Sequence, residues 1–395
     1  MPRIDRERLP RRRDGSEQRV TFFELFFDLV FVFAITQLSH LLLDHLTLEG
    51  AFQTAILLAA VWWSWMYTTW MTNRFDPDRL PVRLLLIGIM FVSLIMSSAI
   101  PGAFEDRGLI FAVSYATIHI GRPLAILSFA GTNHPSMMNF VRILLWCTFA
   151  GITWVAGGFA EGWLRTSVWV TALLIDFAGP TLGYRVPGLG QSTTADWSVD
   201  GRHIAERCQL FLILSLGESI IITGATFSDL DPTAVTVVAF AAAFLGSVAL
   251  WWIYFHRGSD AGTREIASSS DPGRLARSIY TYGHLPLVAG VIVVAVADEL
   301  VIAHPSGDID TATIVVLAGG AALFLAGYVL FRWMISRKLE RPSVAAIAIL
   351  AILGLTGSRF SPLQLSLACT LVVMATAAWE TVRTDGAAVT EIEST

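Results

Sequence analysis

Residues 21–43 have the sequence TFFELFFDLVFVFAITQLSHLLL, and this stretch decides the class of fold. A helix of about 20 apolar residues is long enough to cross a bilayer. This stretch also contains Glu24, Asp28, Gln37 and His40. Charged groups are costly at membrane depth and usually face the interior of a helix bundle. Because Glu24 and Asp28 share one face and Gln37 lies roughly opposite, the pattern predicts a helix surrounded by other helices.

The composition of the whole chain is typical of a membrane protein. Of its 395 residues, 54% are hydrophobic and only 15% are charged, and the mean hydropathy is +0.61. These values exclude an ordinary soluble enzyme. Three cysteines stand far apart without CxxC spacing, so neither a disulfide framework nor a thiolate metal site is indicated. The sequence has no P-loop, GxGxxG, GxSxG or HExxH motif. Nucleotide-driven transport, serine hydrolysis and zinc-dependent proteolysis therefore lack support.

The apolar segments predict an all-α fold, a polytopic transmembrane bundle of about 12 helices. The eleventh segment is short, so the count ranges from ten to twelve. If the N-terminus is inside, the outer loops hold only three of the 27 Lys and Arg residues. This asymmetry predicts that both termini are cytoplasmic and that the protein lies in the cell membrane. The segments are 21–43, 51–72, 81–100, 109–129, 138–157, 164–184, 203–227, 232–256, 277–303, 311–334, 342–357 and 361–382.

The two halves of the chain show a faint sequence likeness. Tyr115 and Arg122 end the fourth helix, as Tyr328 and Arg332 end the tenth. Six crossings per half would relate the halves as parallel repeats. The alternative is that aromatic and arginine residues follow interface preferences in every helix. The predicted domains are a cytoplasmic basic arm at 1–20, expected to be disordered, half 1 at 21–184, a linker at 185–202, half 2 at 203–382 and a tail at 383–395.

A polar cluster is predicted near the cytoplasmic ends of the first and seventh helices. His203, Glu206 and Arg207 open the seventh helix. The simplest expectation is mutual neutralisation, in which Arg207 or Arg122 pairs with the acids of the first helix. A metal site is the sharper alternative, because His203-x-x-Glu206 has the i,i+3 spacing found in di-metal bundles. The weak candidate ligands are Glu24, Asp28, His203 and Glu206.

Two acids, Asp176 and Glu218, are predicted near the middle of the membrane. Desolvation penalises the charged form of such a carboxylate, which is the setting that a proton-coupled protein needs. Residues 179–180 are Gly-Pro and should break the sixth helix, and such a break is tolerated where it lines a cavity or is buried in protein. Asp176 and Glu218 either share one site there or lie on opposite sides of the bundle. The alternative for Glu218 is a structural role, hydrogen-bonded or fixed by an arginine. His284 stands beside Pro286, which predicts a kink in the ninth helix. His284 is then either a titratable gating group or a structural residue that satisfies the broken backbone.

Three stretches of the chain resemble the bacterial low temperature requirement protein A family. They are residues 19–43 with the core ELFFDLVFVFAITQLSHLL, residues 202–222 with RHIAERCQLFLILSLGESIII, and residues 282–290 with YGHLPLVAG. The resemblance covers roughly residues 19–382. It implies a multi-pass membrane protein, and it implies no reaction, ligand or cofactor.

The leading functional hypothesis is an ion- or proton-coupled secondary transporter of a small solute, with a site near Asp176 and Glu218. The alternatives are a polytopic membrane enzyme or redox or metal-binding protein, and a scaffold or sensor that supports growth at low temperature. The expected partners are the lipid bilayer, a small solute and a proton, with no nucleic acid; the sequence names no cofactor or oligomeric state. The candidate binding or coupling residues are Glu24, Asp28, Gln37, His40, Asp176, His203, Glu206, Arg207, Glu218 and His284.

Overall fold

The computed structural model describes residues 9–11, 19–130, 137–193, 199–258, 265–266 and 271–393. These residues form an all-helical fold without strands, which confirms the predicted class. Its long helices are α1 Phe22–Asp44, α2 Leu48–Arg74, α3 Leu80–Ser98, α4 Gly108–Ala130, α5 Met137–Phe159, α6 Gly162–Thr181, α7 Gly201–Ser228, α8 Ala234–Ile253, α9 Leu285–Ala303, α10 Thr311–Ser336, α11 Arg341–Thr356 and α12 Pro362–Glu393.

Ten helical spans in the described residues are long and apolar enough to cross a membrane. The two long helices outside this set are α2 and α6. The eleventh helix, predicted to be short, is extended by a 3-10 turn at Gly357–Arg359. The last helix runs beyond residue 382 to Glu393, so most of the predicted tail is helical.

Contacts between Cα atoms divide the chain into two compact units. Unit 1 comprises Met1–Arg207 and Ser270–Arg274, and unit 2 comprises Cys208–Ser269 and Leu275–Thr395. The boundary falls inside α7, whereas the predicted halves meet at the linker 185–202. The division into six and six helices and the parallel repeat stay predictions.

Unit 1 is built around α4. This helix packs against α3 and α5, α5 packs against α6, and α1 packs against α2 and α3. Small residues allow the close approach of α4 and α5, since a Cβ atom on Gly158 would lie 3.1 Å from the Cα atom of Leu109. Helix packing inside membranes commonly uses such small residues. The buried aromatic side chains Tyr115, Trp154 and Trp169 fill the space between α4, α5 and α6.

Unit 2 is built around α10, which packs against α9, α11 and α12, while α8 packs against α12. The closest approach lies at Gly290 of α9, where a Cβ atom would stand 2.6 Å from the Cα atom of Phe324. Two π-helical segments, Tyr254–Gly258 and Ala276–Tyr282, interrupt the regular helices before α9. The predicted break near His284 is therefore present, because α9 begins immediately after this residue.

One face of α1 is exposed in the structure. Phe26, Leu29 and Phe33 lie along it with exposed side chains. The prediction that other helices surround α1 is therefore wrong for this face. An exposed apolar stripe suits contact with lipid tails, and the polar residues of α1 are divided between this face and the buried one.

The N-terminal arm contacts the bundle through residues 9–11. Leu9 is buried, the backbone N–H of Asp76 donates to its carbonyl at 3.0 Å, and the N–H of Arg11 donates to the carbonyl of Arg74 at 3.0 Å. The expectation of a disordered arm is wrong for these three residues, because their backbone bonds and the apolar side chain are satisfied by α2 and the turn after it. Residues 1–8 and 12–18 of the predicted arm lie outside the described residues.

We expect Gly290→Ala to lower the midpoint of thermal unfolding, because the new methyl group would push α9 away from the backbone of α10. The measurement is a fluorescence-detected unfolding scan of the purified protein in detergent. Gly319→Ala is the matched control, since a Cβ at Gly319 meets nothing within 4 Å and alanine favours helix. An equal or higher midpoint for Gly290→Ala would show that the two helices separate at no cost.

Candidate functional site

Glu24 is held in place by the start of its own helix. The Thr21 side chain accepts a hydrogen bond from the Glu24 N–H at 3.2 Å, and Glu24 Oε2 accepts one from the Thr21 N–H at 2.9 Å. This reciprocal pair is a capping box, which satisfies backbone donors that the first turn leaves open. The carboxylate is therefore fixed before any other helix contacts it.

Two cations and a histidine complete the surroundings of Glu24. Arg11 Nη2 donates to Glu24 Oε2 at 2.8 Å, and His203 Nε2 lies 3.0 Å from Oε1. Arg207 Nη1 is 3.8 Å from the same Oε1. Both carboxylate oxygens thus face donors, as a buried charge requires. The arm contributes directly to this cluster through Arg11.

Asp28 forms the closest ion pair in the cluster. Its Oδ1 accepts hydrogen bonds from Arg207 Nη2 at 2.6 Å and from the Trp65 indole N–H at 2.7 Å. The guanidinium of Arg207 also lies 5.6 Å from the centre of the Trp65 ring. The expected cationic partner of the helix-1 acids is therefore Arg207. The Arg207–Asp28 pair joins the start of α7 to α1 across 179 positions of sequence.

The contacts of His203 identify its neutral tautomer. Asn73 Nδ2 donates to the Asp200 carbonyl at 2.7 Å, and Asn73 Oδ1 accepts from the Asp200 N–H at 3.1 Å, which fixes the orientation of the amide. The amide nitrogen also lies 3.2 Å from His203 Nδ1. Since an amide nitrogen only donates, Nδ1 accepts, and Nε2–H donates to Glu24.

These contacts define the ion cluster, which consists of Arg11, Glu24, Asp28, His203 and Arg207. With His203 neutral, two positive and two negative charges sum to zero. Donors from two arginines and a histidine face the carboxylates, so the cluster is arranged for mutual neutralisation. Among the described residues, no three His, Cys, Asp or Glu side chains form a group suited to a metal ion. The geometry therefore gives no support to the weak metal hypothesis, and Glu206 accepts a hydrogen bond from the backbone of Val20 instead.

A second polar group, the Asp176 cluster, lies between α2, α4, α5 and α6 of unit 1. Asp176 Oδ2 accepts hydrogen bonds from the Tyr115 hydroxyl at 2.7 Å and from the Trp154 indole N–H at 3.0 Å. The Tyr115 ring stacks on His119 at 4.1 Å between centroids. His119 Nε2 in turn lies 3.0 Å from Ser64 Oγ. Polar groups from four helices thus converge inside the bundle.

Arg122 belongs to this second cluster and not to the ion cluster. Its Nη1 donates to Thr68 Oγ1 at 2.9 Å and to the Ser64 carbonyl at 3.3 Å. Its guanidinium lies 4.9 Å from the centre of the Tyr67 ring. The alternative expectation, that Arg122 pairs with the helix-1 acids, is wrong because its position on α4 brings it to α2 instead.

His284 of unit 2 is satisfied by neighbouring groups. Its Nδ1 lies 3.3 Å from the carbonyl of Ile279, which belongs to a π-helical segment, and its Nε2 lies 2.6 Å from the Tyr254 hydroxyl. Because a carbonyl only accepts, Nδ1 carries the proton and Nε2 accepts from tyrosine. Tyr280 stacks on the ring at 4.9 Å. This arrangement matches the structural alternative, a histidine that satisfies a broken backbone.

The remaining predicted residues are dispersed. Glu218 is buried on α7 within unit 2. Asp176 belongs to unit 1, so a site shared by the two acids stays a prediction. Gln37 is half-buried, and His40 is exposed on the face of α1 that carries Phe33. The position of His40 separates it from the ion cluster, since Glu24 and Asp28 point to the opposite side.

Several polar residues of these sites were missed by sequence reasoning. Trp65 and Asn73 give no signal, because tryptophan and asparagine are ordinary residues near membrane interfaces. Arg11 was one of seven arginines in the arm. The buried acids Asp298 and Glu380 were also missed, although an acid inside an apolar segment is itself a signal. Glu380 accepts hydrogen bonds from the hydroxyl groups of Tyr328 and Ser343.

The apolar spans and the charged residues buried among them define a multi-pass membrane protein. The family model of the bacterial low temperature requirement A protein (LtrA) matches residues 19–378, and the chain belongs to this family. It is also similar to the Uncharacterized protein RA0937 of Rhizobium meliloti (strain 1021). The two are 40% identical over 344 residues, which cover 86% of this chain and 83% of that protein. No solved structure matches the chain.

We expect Asp28→Asn to destabilise the protein by roughly 3–5 kcal/mol, as for other buried ion pairs that lose one partner. The substitution would leave the Arg207 charge without its closest partner. The measurement is the unfolding midpoint in detergent.

Asp78→Asn is the control for Asp28→Asn, because the Asp78–Arg83 pair is largely exposed and such pairs contribute less than about 1 kcal/mol. An unchanged midpoint for Asp28→Asn would mean that water or another group replaces the ion pair.

Proposed function

We propose that this protein is a proton-coupled secondary transporter of a small solute, and that Asp176 is a proton-binding group. The observation that carries the proposal is the setting of this carboxylate. Asp176 is buried, and its two hydrogen-bond donors, Tyr115 and Trp154, are both neutral. Ionisable residues inside membrane proteins commonly mark proton or solute pathways.

The hydrogen bonds of Asp176 allow it to gain and lose a proton without losing its donors. Both bonds end on Oδ2, so a proton on Oδ1 breaks neither of them. In contrast, Asp28 is paired directly with Arg207 at 2.6 Å. Protonation of Asp28 would break an ion pair, whereas protonation of Asp176 only removes a charge. This difference supports Asp176 as the coupling group and the ion cluster as a structural element.

Glu218 is the second coupling acid of the proposal. It is buried on α7 and lies next to Ser219, whose hydroxyl is 3.2 Å from that of Ser247 on α8. A buried carboxylate with polar neighbours suits proton transfer in the same way. One proposed coupling acid therefore lies in each unit.

We further propose that the protein lies in the bacterial cytoplasmic membrane with both termini in the cytoplasm. The support is the charge distribution, in which the outer loops hold three of the 27 Lys and Arg residues. The family is bacterial.

Topology reporters test this orientation. A fusion after Val382 and a fusion within residues 188–200 should both report the cytoplasm, and a fusion within residues 303–310 should report the outside. Paired reporters, one active only in the cytoplasm and one only outside, serve as mutual controls. An external position for residues 188–200 would overturn the six-plus-six division.

The transport proposal predicts a proton flux that depends on Asp176. Purified protein is reconstituted into liposomes loaded with a pH-sensitive dye, and a panel of carboxylates, amino acids, sugars and cations is added outside. At least one class should drive acidification of the interior. Asp176→Asn and Glu218→Gln should fold normally and abolish this flux, because neither amide can carry the proton.

Glu380→Gln is the matched control in the liposome assay. Glu380 is also buried and also bonded by two neutral hydroxyl groups, and the proposal gives it no role. Its amide variant should therefore keep the flux. A flux that survives Asp176→Asn would remove Asp176 from the mechanism, and the absence of flux with every solute would favour a scaffold or sensor.

A further inference from the structure

Arg122 is a buried arginine, and no carboxylate of the described residues forms an ion pair with it. Its side chain is only 3% exposed. Its Nη1 donates to two neutral oxygens, those of Thr68 and the Ser64 backbone. Its Nη2 is buried and has no hydrogen-bond acceptor in the part of the chain that the structure describes. Because a guanidinium stays charged in proteins, an open donor and a positive charge remain inside unit 1.

The other buried arginines of the described chain are satisfied differently. Arg207 forms the ion pair with Asp28, although its Nε and Nη1 are also buried without a hydrogen-bond partner among the described residues. Arg165 donates to the backbone carbonyls of Ala160, Ala103 and Glu105 at 2.8, 2.9 and 2.6 Å. Buried polar groups that lack a partner require an explanation, such as an ion or water that completes the site. Among these three arginines, Arg122 is the one that combines an open donor with a charge that no carboxylate of the described residues pairs.

A second open polar atom lies one helical turn away. His119 is 1% exposed, and its Nδ1 is buried with no hydrogen-bond partner among the described residues. Its ring lies 5.3 Å from the Tyr67 ring, the same ring over which Arg122 lies. The i,i+3 spacing places both side chains on one side of α4. Two open polar groups on adjacent turns favour a ligand over a local packing accident.

Asp176 is an acid of the same cluster, but it makes no hydrogen bond to Nη2 of Arg122. Asp176 lies within electrostatic reach of Arg122, yet its hydrogen bonds are made with Tyr115 and Trp154. The other ionisable groups around Asp176 and Arg122 are Tyr67 on α2, Tyr115 and His119 on α4, Cys147 on α5 and Tyr184 after α6.

We propose that Arg122 binds a small monocarboxylate anion, and that this anion is the solute transported with the proton on Asp176. The inference rests on the proposed function and names its substrate class. A single arginine balances a single negative charge, so a dianion such as sulfate would leave a buried charge unpaired. Because Nη1 is already engaged, Nη2 offers one oxygen contact rather than the two-nitrogen fork that arginine gives to phosphate.

Unit 2 contains an internal example of this pairing. Arg332 on α10 donates through Nε and Nη2 to Glu340 Oε1 at 3.0 and 2.8 Å. Like Arg122, it follows a tyrosine that bonds a buried acid, since Tyr328 donates to Glu380. In unit 2 the chain supplies the carboxylate itself. In unit 1 no described residue supplies a carboxylate to Arg122, and the proposed anion takes this place.

The charges also fit coupling to a proton. One proton and one monocarboxylate carry no net charge together, so their joint movement avoids the cost of an unbalanced charge inside the membrane.

Acetate is the probe that tests this site. The unfolding midpoint of the detergent-purified full-length protein is measured at neutral pH while sodium acetate replaces sodium sulfate at constant ionic strength. We expect a saturable rise of the midpoint with acetate, because a ligand that binds only the folded state stabilises it. Arg122→Gln should weaken the apparent acetate affinity by about tenfold or more, since a charge-assisted hydrogen bond is lost.

Arg165→Gln is the matched control, because Arg165 is equally buried but bonded by carbonyls; it should keep the wild-type acetate affinity even if its basal midpoint falls. Should Arg122→Gln fail to fold, Arg122→Lys replaces it. Lysine keeps the charge but loses the geometry of Nη2, so acetate affinity should fall about tenfold, while Arg165→Lys should leave it unchanged. A wild-type midpoint that ignores acetate, an unaltered affinity in the Arg122 variants, or an equal response to chloride would overturn the assignment.

The acetate experiment separates the site from the proposed function, because binding in detergent requires no transport. Acetate binding that depends on Arg122, in a protein that moves no protons in liposomes, would overturn the transport proposal and keep the site. A proton flux that depends on Asp176, without acetate binding, would overturn the site and keep the transport proposal.

Discussion

The ion pair between Arg207 and Asp28 is the interaction on which unit 1 depends. Two buried charges meet at 2.6 Å across 179 positions of sequence, and neither is tolerable in the bundle without the other. Glu24, His203 and Arg11 extend the pair into a cluster whose formal charges sum to zero. Since a charge that loses its partner costs several kcal/mol in such surroundings, the start of α7 cannot leave α1 without exposing or neutralising these groups.

Glu24 shows how one side chain links three levels of structure. It closes the capping box of α1 with Thr21, anchors the N-terminal arm through Arg11, and accepts from His203 on α7. The local bond fixes its position, so the long-range bonds lose less conformational freedom when they form. The arm therefore belongs to the fold at residues 9–11, because Arg11 supplies one of the two positive charges that balance the cluster.

Sequence reasoning predicted the helical membrane fold and the pairing of Arg207 with the helix-1 acids, because hydrophobic runs and buried charges leave clear signals. The sequence also contains the Thr21-x-x-Glu24 capping signature, which marks the start of α1. Sequence reasoning failed for Arg122 and His40, whose helical positions were known but whose neighbours were not. The period of a helix fixes which residues share a face, whereas the helix that covers that face depends on packing between distant segments. Contacts such as Tyr115 to Asp176, 61 positions apart, have no local signature.

The hydrogen bonds of the two units follow a similar plan with one difference. In each unit a tyrosine and a donor on the next helix bond an acid one helix further: Tyr115 and Trp154 bond Asp176, and Tyr328 and Ser343 bond Glu380. The nearby arginine of unit 2 is neutralised by Glu340, whereas the hydrogen-bond partners of Arg122 among the described residues of unit 1 are neutral. A neutralised arginine stabilises a fold and has no charge left for a ligand. An arginine without a carboxylate lowers stability, and the anion that we propose for Arg122 would supply the missing negative charge.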